Sequence, residues 1–435
     1  MRLNKFLREK IGLDWLGRET QDSAIWNTLF LLVLVSIFIS FDLGVKVLGF
    51  PITTQKIGLG VSALFLCVHF LKGRTKPGKE YLPITVPLSI LTLGAFLATW
   101  LNSQYPLGGL KGSLSLLLTL VATLIWFGLI ENVSPRFLKL TVLVGIPLVI
   151  FVQLALSISS YLMTGALRGR MAGIIGNPNE TGGIILMAFP LLLTVLLAED
   201  WKIRLIGASS VLVGLLGIFL TYSRSTYLVV IFFFLVFLIG ELYQKNYRYL
   251  KRLSLLILLL IVIGGVVIVS VPGKRTELAF DRLSSVLGSK GGINLKDNSF
   301  TYRIQAVQFG WNLFQEKPFL GQGPIDFSRM KIERPRHKKK YFHAFENTYI
   351  HLLATTGLVG TLAFFSIIGI TLWALFNNLG GLDDPMVSRL NRNLIYGFFA
   401  FLVLMLTNDF VTATSTLWVW IWIALSLGKL EGSGA

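Results

Sequence analysis

Residues 253–271 read LSLLILLLIVIGGVVIVSV, without a charge, and 272–345 then run polar and basic until the chain turns apolar again at His343-Ala-Phe-Glu-Asn-Thr-Tyr. About 20 apolar residues at 1.5 Å rise cross roughly 30 Å of hydrocarbon. The first stretch is therefore a membrane span and the second an extramembrane insertion. The same pattern recurs near 24–41, 52–71, 83–101, 110–130, 138–163, 179–198, 203–221, 226–244, 346–376, 393–407 and 411–428. This predicts an all-α polytopic membrane protein of about 12 transmembrane helices with one large, partly helical outer loop. Helices are preferred to barrel strands because the runs are long and do not alternate. Composition agrees: 54% apolar and 14% charged residues, with a mean hydropathy of +0.69, cannot supply a soluble surface. The 346–376 run exceeds one span and is expected to tilt or to project beyond the membrane.

Lys and Arg in short connections are retained on the inner side. With the N-terminus inside, the inner connections hold Lys72, Arg74, Lys76, Lys79, Arg136, Lys202, Arg204, Lys245, Arg248, Lys251, Arg252, Arg389 and Arg392. The outer ones hold few, so both termini are expected inside and 272–345 outside. The expected organisation is an interfacial segment at 1–23, nine spans over 24–271, the outer loop at 272–345, three spans over 346–428 and a tail at 429–435. The tail's Gly-Ser-Gly-Ala end reads as a tag remnant. The basic start is followed by Asp14, Trp15 and Leu16, which suits an interfacial helix better than a cleavable signal. Cys67 is the only cysteine, which excludes internal disulfides and cysteine-based metal sites.

The net charge of +18 divides into two parts. Basic inner loops are a topological device, and no nucleic-acid partner follows from them. Within 272–345, however, fourteen Lys and Arg face six Asp and Glu. An outer domain of that charge beside a membrane suits diphosphate-linked lipids, phospholipid headgroups or acidic glycans. The run Arg334-Pro-Arg-His-Lys-Lys-Lys340 reads equally as a solvated stretch. Residues 300–314 have the apolar spacing of an amphipathic helix, followed by the turn-rich Pro318-Phe-Leu-Gly-Gln-Gly-Pro324.

Further cations fall at the outer face. Arg168-Gly-Arg170 precedes Gly176-Asn-Pro-Asn179, where a proline at a helix entrance aims free N–H groups outward. Arg224 lies in Thr221-Tyr-Ser-Arg-Ser225 at the hydrocarbon boundary, where a charge is costly unless paired. A single Arg there is usually a snorkelling anchor; several on one side point to an anionic ligand. Of the four histidines, His69 reads as packed, His337 as solvated and His351 as a structural or supporting polar residue. His343 stands where the outer loop re-enters the membrane. A neutral imidazole there can take a proton from a sugar hydroxyl, and nearby Arg residues would keep it neutral. Glu346 could orient it or serve as the base. No metal-ligand spacing is present, and no cofactor or metal is expected.

Arg170 ahead of Gly-Asn-Pro-Asn179, Tyr222-Ser-Arg-Ser225, the 303–327 stretch and His343-Ala-Phe-Glu-Asn-Thr-Tyr-Ile-His-Leu-Leu-Ala-Thr-Thr-Gly357 together resemble the O-antigen ligase and O-antigen polymerase superfamily of bacterial envelope proteins, over roughly 165–365. The resemblance implies a metal-independent, inverting, multi-span (GT-C-like) glycosyltransferase of the inner membrane. It would act on the periplasmic side on glycans carried by polyprenyl diphosphate, with a lipid- or glycan-linked acceptor and membrane lipids as its other partners. It further implies His343 as base and Arg170, Arg224 and Arg303 on the donor diphosphate, with Arg168 adjacent. One departure is the His-Ala-Phe-Glu-Asn start of the re-entry motif, where the family often has His-Asn or His-Ser, so the role of Glu346 stays open. The single outer loop with its own basic domain tips the reading to ligase; a polymerase is the alternative. A bicarbonate-type transporter is a further one, but charges gather at one face rather than near the midplane.

Overall fold

The computed structural model describes residues 26–31, 42–47, 50–53, 61–62, 81–103, 106–163, 178–196, 198, 200–221, 223–247, 250–251, 254, 298–324, 331–332, 340–341, 345, 347–407 and 414–431, some of them by backbone alone. The fold is helical, with two small antiparallel ribbons. In chain order these elements are β1 (Asp42–Val47), β2 (Phe50–Thr53), α1 (Leu82–Asn102), α2 (Pro106–Ile130), α3 (Pro135–Leu140), a π-helical turn (Thr141–Gly145) and α4 (Ile146–Met163). They continue with α5 (Pro178–Leu196), α6 (Trp201–Thr221), α7 (Arg224–Tyr243), α8 (Asn298–Glu316), β3 (Lys331–Ile332), β4 (Lys340–Tyr341), α9 (Thr348–Asn377), α10 (Pro385–Leu404), α11 (Thr414–Leu425) and α12 (Leu427–Glu431). In the first ribbon Val47 pairs with Phe50; in the second Lys331 pairs with Tyr341 and Ile332 with Lys340.

Six helices among the described residues are long and apolar enough to cross a membrane: α1, Gly109–Ile130 of α2, Pro135–Ser159 through the π turn, α6, Ser225–Tyr243 of α7, and α9. Thr181–Leu196 of α5 is apolar but shorter. The runs at 24–41, 52–71 and 253–271 lie mostly outside the described residues. The 393–407 run belongs to a helix that starts earlier, at Pro385. Arg389 and Arg392 therefore sit in the first turns of α10 and not in a loop, and Arg389, Asn391 and Asn393 are buried. Their partners are protein groups: Asn391 Nδ2 donates to the Leu375 carbonyl at 2.9 Å, Asn393 Nδ2 to Thr194 Oγ1 at 2.9 Å, and Arg392 to Gln244.

Apolar helices in lipid gain little from apolar contact alone, so small residues and hydroxyls must bring them together. Gly207 lets α6 close on the end of α5, where a Cβ would stand 2.7 Å from Leu196 Cα. Gly240 of α7 accepts the Tyr396 ring of α10. Thr99 of α1 meets Ser113 of α2 through their hydroxyls at 2.9 Å. Trp126 of α2 stacks on Trp422 of α11 at 5.2 Å, and the Trp422 indole donates to Thr123 Oγ1 at 3.1 Å.

The end opposite the large loop is fastened by ions. Lys139 of α3 pairs with Asp384, which caps α10 by accepting from the Met386 and Val387 N–H groups at 2.9 and 3.1 Å. Lys429 of α12 pairs with Glu131, which also accepts from Tyr81 Oη at 2.6 Å. Burial works to raise both carboxyl pKa values, but the Lys139 and backbone bonds on Asp384, and the Lys429 and Tyr81 bonds on Glu131, outweigh it and leave both below the ordinary range. A lowered folded-state pKa adds stability that is present above the unfolded value, near 4, and is lost as pH falls through the folded value. Thermal unfolding in detergent should be insensitive to these pairs from pH 7 to 5 and weaken below about pH 4. Asp384→Asn, which can still cap, should cost about 1 kcal/mol or less at pH 7 and flatten part of that acid loss.

Candidate functional site

The long run 346–376 is neither a single tilted helix nor a straight projection. At Gly357 the backbone leaves helical geometry, with φ 62° and ψ −162°. Tyr349 and Phe365 would be about 24 Å apart along a straight helix, yet their rings stack with centroids 5.7 Å apart and planes 4° from parallel. The 348–356 arm is thus bent sharply at Gly357, toward the side on which Phe365 lies. Such a break strands backbone groups, two carbonyls at the end of one arm and two N–H groups at the start of the next. The Pro318–Pro324 turn receives all four. Gln322 and Gly323 N–H donate to the Ala354 and Thr355 carbonyls at 2.8 and 2.9 Å, and Leu358 and Val359 N–H donate to the Pro318 and Phe319 carbonyls at 2.8 and 3.2 Å.

That exchange needs close backbone approach, and glycine supplies it. A Cβ on Gly321 (φ +69°) would lie 2.5 Å from the Thr355 carbonyl carbon, and one on Gly357 would lie 2.6 Å from Gly321 N. Gly323 (φ +79°) lies as tightly on Thr99 of α1, Asn102 Nδ2 donates to the Gly321 carbonyl at 2.8 Å, and Pro324 packs on Gly109 and Gly112 of α2. The turn is a wedge between the ends of α1 and α2 and the break in α9.

Helix α8 is held to α9 a second time. Gly310 lies against Phe345 and Ile350, Phe309 stacks on Phe345 at 6.4 Å, and Phe345 meets the ring of buried His351 edge-on at 5.3 Å. Arg303 is half-buried and shares the docked face of α8 with Ala306 and Gly310 at i, i+3, i+7 spacing. The start of α9 is pinned to the end of α10. Asn347 caps α9 by accepting from Ile350 N–H at 3.0 Å and donates from Nδ2 to the Leu406 carbonyl at 3.0 Å. Thr348 N–H donates to Met405 at 2.9 Å and Tyr349 Oη to Leu402 at 2.7 Å.

The same end receives α5 and α7. Gly240 of α7 and its C-cap Gln244 meet Tyr396 and Arg392 in the first half of α10, so α7 runs antiparallel to α10 and begins about 12 Å beyond its end. Its N-cap Ser223 accepts from Thr226 Oγ1 at 2.9 Å and from Thr226 N–H at 3.4 Å, and Thr226 lies against Gly182 in the first turns of α5. Three helix N-termini, those of α5, α7 and α9, therefore collect at the end where α8 is docked. Each carries the partial positive charge of a helix start, a setting that stabilises an anion.

Of the residues expected at a site, Arg224 is the first residue of α7 and Arg303 lies on α8. Arg168, Arg170, His343 and Glu346 lie outside the described residues; Phe345 is the described residue nearest in sequence to His343, and Phe345 and Asn347 flank Glu346. Among the described residues no group of three or more His, Cys, Asp or Glu is placed to hold a metal. The contribution not read from the sequence is Gly357 as a break and the 318–324 turn as its partner. An isolated Gly after two threonines inside an apolar run was the available signal.

A family model described as O-antigen ligase matches residues 208–365, from α6 through α8 and the turn to the ring partner of Tyr349. Comparison with curated proteins gives no match. The backbone exchange is testable. Gly357→Ala should cost about 2 kcal/mol or more through left-handed strain and overlap with the turn, and Asn102→Ala about 1 kcal/mol. Both should lower the melting temperature in detergent and speed limited proteolysis near 318–324; an unchanged Gly357→Ala variant would remove the wedge from the account.

Proposed function

We propose, from the match of residues 208–365 to a family model described as O-antigen ligase, that the protein is a metal-independent, inverting glycosyltransferase of ligase type. It moves a glycan from a polyprenyl-diphosphate carrier to an acceptor hydroxyl at the periplasmic face of a bacterial inner membrane, with both termini cytoplasmic. The observation that carries this reading is the gathering of the α5, α7 and α9 N-termini at the end where α8 presents Arg303. A diphosphate leaving group needs that concentration of positive potential in a low dielectric.

In this mechanism Arg168 and Arg170, ahead of α5, and Arg224, at the start of α7, hold the donor diphosphate, with Arg303 facing it from α8. His343, two residues before the anchored Phe345 in sequence, takes the proton of the acceptor hydroxyl, with Glu346 as its orienting partner or the alternative base. The acceptor oxygen attacks the anomeric carbon as the carbon–oxygen bond to phosphate breaks. The electron pair leaves with the diphosphate, whose charge the guanidiniums hold, and attack opposite the leaving group inverts the centre.

Purified protein should transfer glycan from a polyprenyl-diphosphate donor with chelator present. His343→Ala should lower turnover by about 10²- to 10⁴-fold while donor binding persists. Arg224→Ala and Arg303→Ala should weaken donor binding by about 10- to 100-fold. The acceptor used, a terminal core glycan or a second lipid-linked repeat, distinguishes ligase from polymerase. Normal transfer by His343→Ala would remove it as the base, and anion transport without transfer would replace the reading.

A further inference from the structure

Helix α8 carries more apolar surface than its docking on α9 uses. At 100° per residue, Ala306 and Gly310 mark the docked sector, and Gln305, Gln308, Asn312 and Glu316 mark a polar one. Between them Phe314, Val307, Trp311 and Ile304 occupy an arc of about 80°. Ile304 is 42% exposed and Trp311 45%, and Trp311 and Phe314 rest on each other at 5.2 Å. Phe319, in the turn that follows, is 72% exposed. Exposed aromatics on an extramembrane element are costly in water.

Position identifies what covers them. The turn holding Phe319 is fixed to the end of α1 through Asn102 and Gly323, and α1 is a span whose uncovered side carries Leu93, Leu97 and, at its end, Trp100 at 83% exposure. On the other side the Phe319 carbonyl takes the Val359 N–H, where the exposed Leu358, Leu362 and Phe365 of α9 begin a second lipid-facing stripe. The Phe319 ring thus stands at the top of two surfaces that hydrocarbon covers, at the height where Trp and Phe favour the headgroup layer. The fourteen Lys and Arg in the surrounding loop, against six acids, suit a phosphate-bearing surface.

We propose that the sector Ile304, Val307, Trp311 and Phe314 of α8, together with Phe319, lies in the headgroup layer of the phospholipid bilayer. Helix α8 is then an interfacial helix with three contacts: the 348–356 arm of α9, the lipid surface and water. Arg303 is thereby held at headgroup height instead of projecting into solvent. This assignment concerns the lipid surface and stands whether or not the transferase reading does.

The test uses the full chain with Cys67→Ser, reconstituted in phosphatidylethanolamine and phosphatidylglycerol vesicles. A nitroxide is placed singly at Ile304→Cys, Trp311→Cys or Phe319→Cys, with Asn312→Cys and Glu316→Cys as polar-sector controls. Collision with oxygen should exceed collision with a water-soluble nickel chelate several-fold at 304, 311 and 319, and the order should reverse at 312 and 316. Each of the three positions tests the assignment alone, so failure of one variant to fold leaves the others decisive. A nickel chelate that reaches 311 and 319 as freely as 312 overturns it. So does spin–spin broadening at 311 that disappears on dilution with unlabelled chain, which would put a second copy on this sector.

Discussion

A backbone carbonyl or N–H in a membrane interior has no water to turn to, so a helix can break there only where protein supplies the missing bonds. The break at Gly357 obeys this through four bonds from one short turn. Each unmet group would cost about 1–3 kcal/mol, and the four together are comparable with the marginal stability of an ordinary fold. The position of α8, the bend of 348–356 and the seat of Phe345 all follow from meeting that demand. The extramembrane segment is therefore a structural part of the membrane bundle.

The exchange also explains how a polar site can be held at the edge of an apolar bundle. Helix α8 is attached to α9 at the Gly310 contact and again at the turn, and the start of α9 is fastened to the end of α10 by Asn347, Thr348 and Tyr349. Two attachments on one element remove the rotation that a single hinge would leave. The helix N-termini of α5 and α7 are brought in by small residues, Gly182 against Thr226 and Gly240 against Tyr396. The bundle thus sets electrostatic potential at one end through packing along its whole length.

Much of the span pattern was legible because hydropathy and length act locally. The runs at 83–101, 203–221 and 226–244 fall within a few residues of α1, α6 and α7. Where reading by hydropathy went astray, the cause was nonlocal. Arg389 and Arg392 were assigned to a loop because polarity was equated with water, yet both lie in α10, where Arg389 is buried and Arg392 donates to Gln244. The break at Gly357 left apolar residues on both sides, so the run seemed continuous. Its partner turn was recognisable as a turn, but pairing 322 with 354 uses main-chain atoms and leaves no trace in side-chain identity. At the site, amphipathic spacing over 300–314 marked a helix, which is α8, but Arg303 itself was singled out only by the family resemblance. The approach of the α5 and α7 N-termini depended on glycine contacts between helices distant in sequence.

The π-helical turn at Thr141–Gly145, where Ile146 N–H reaches back five residues to the Thr141 carbonyl, has its own consequence. Such a turn carries one residue more than a regular helix would. It sets α4 out of phase with α3 by about 100°, so that α3 can face α12 while α4 faces α6. Deleting a single residue between 141 and 145 would restore a regular helix and rotate all of α4 away from its partner. Gene variants of this protein should therefore tolerate exchanges of one apolar residue for another there far more readily than a change in length.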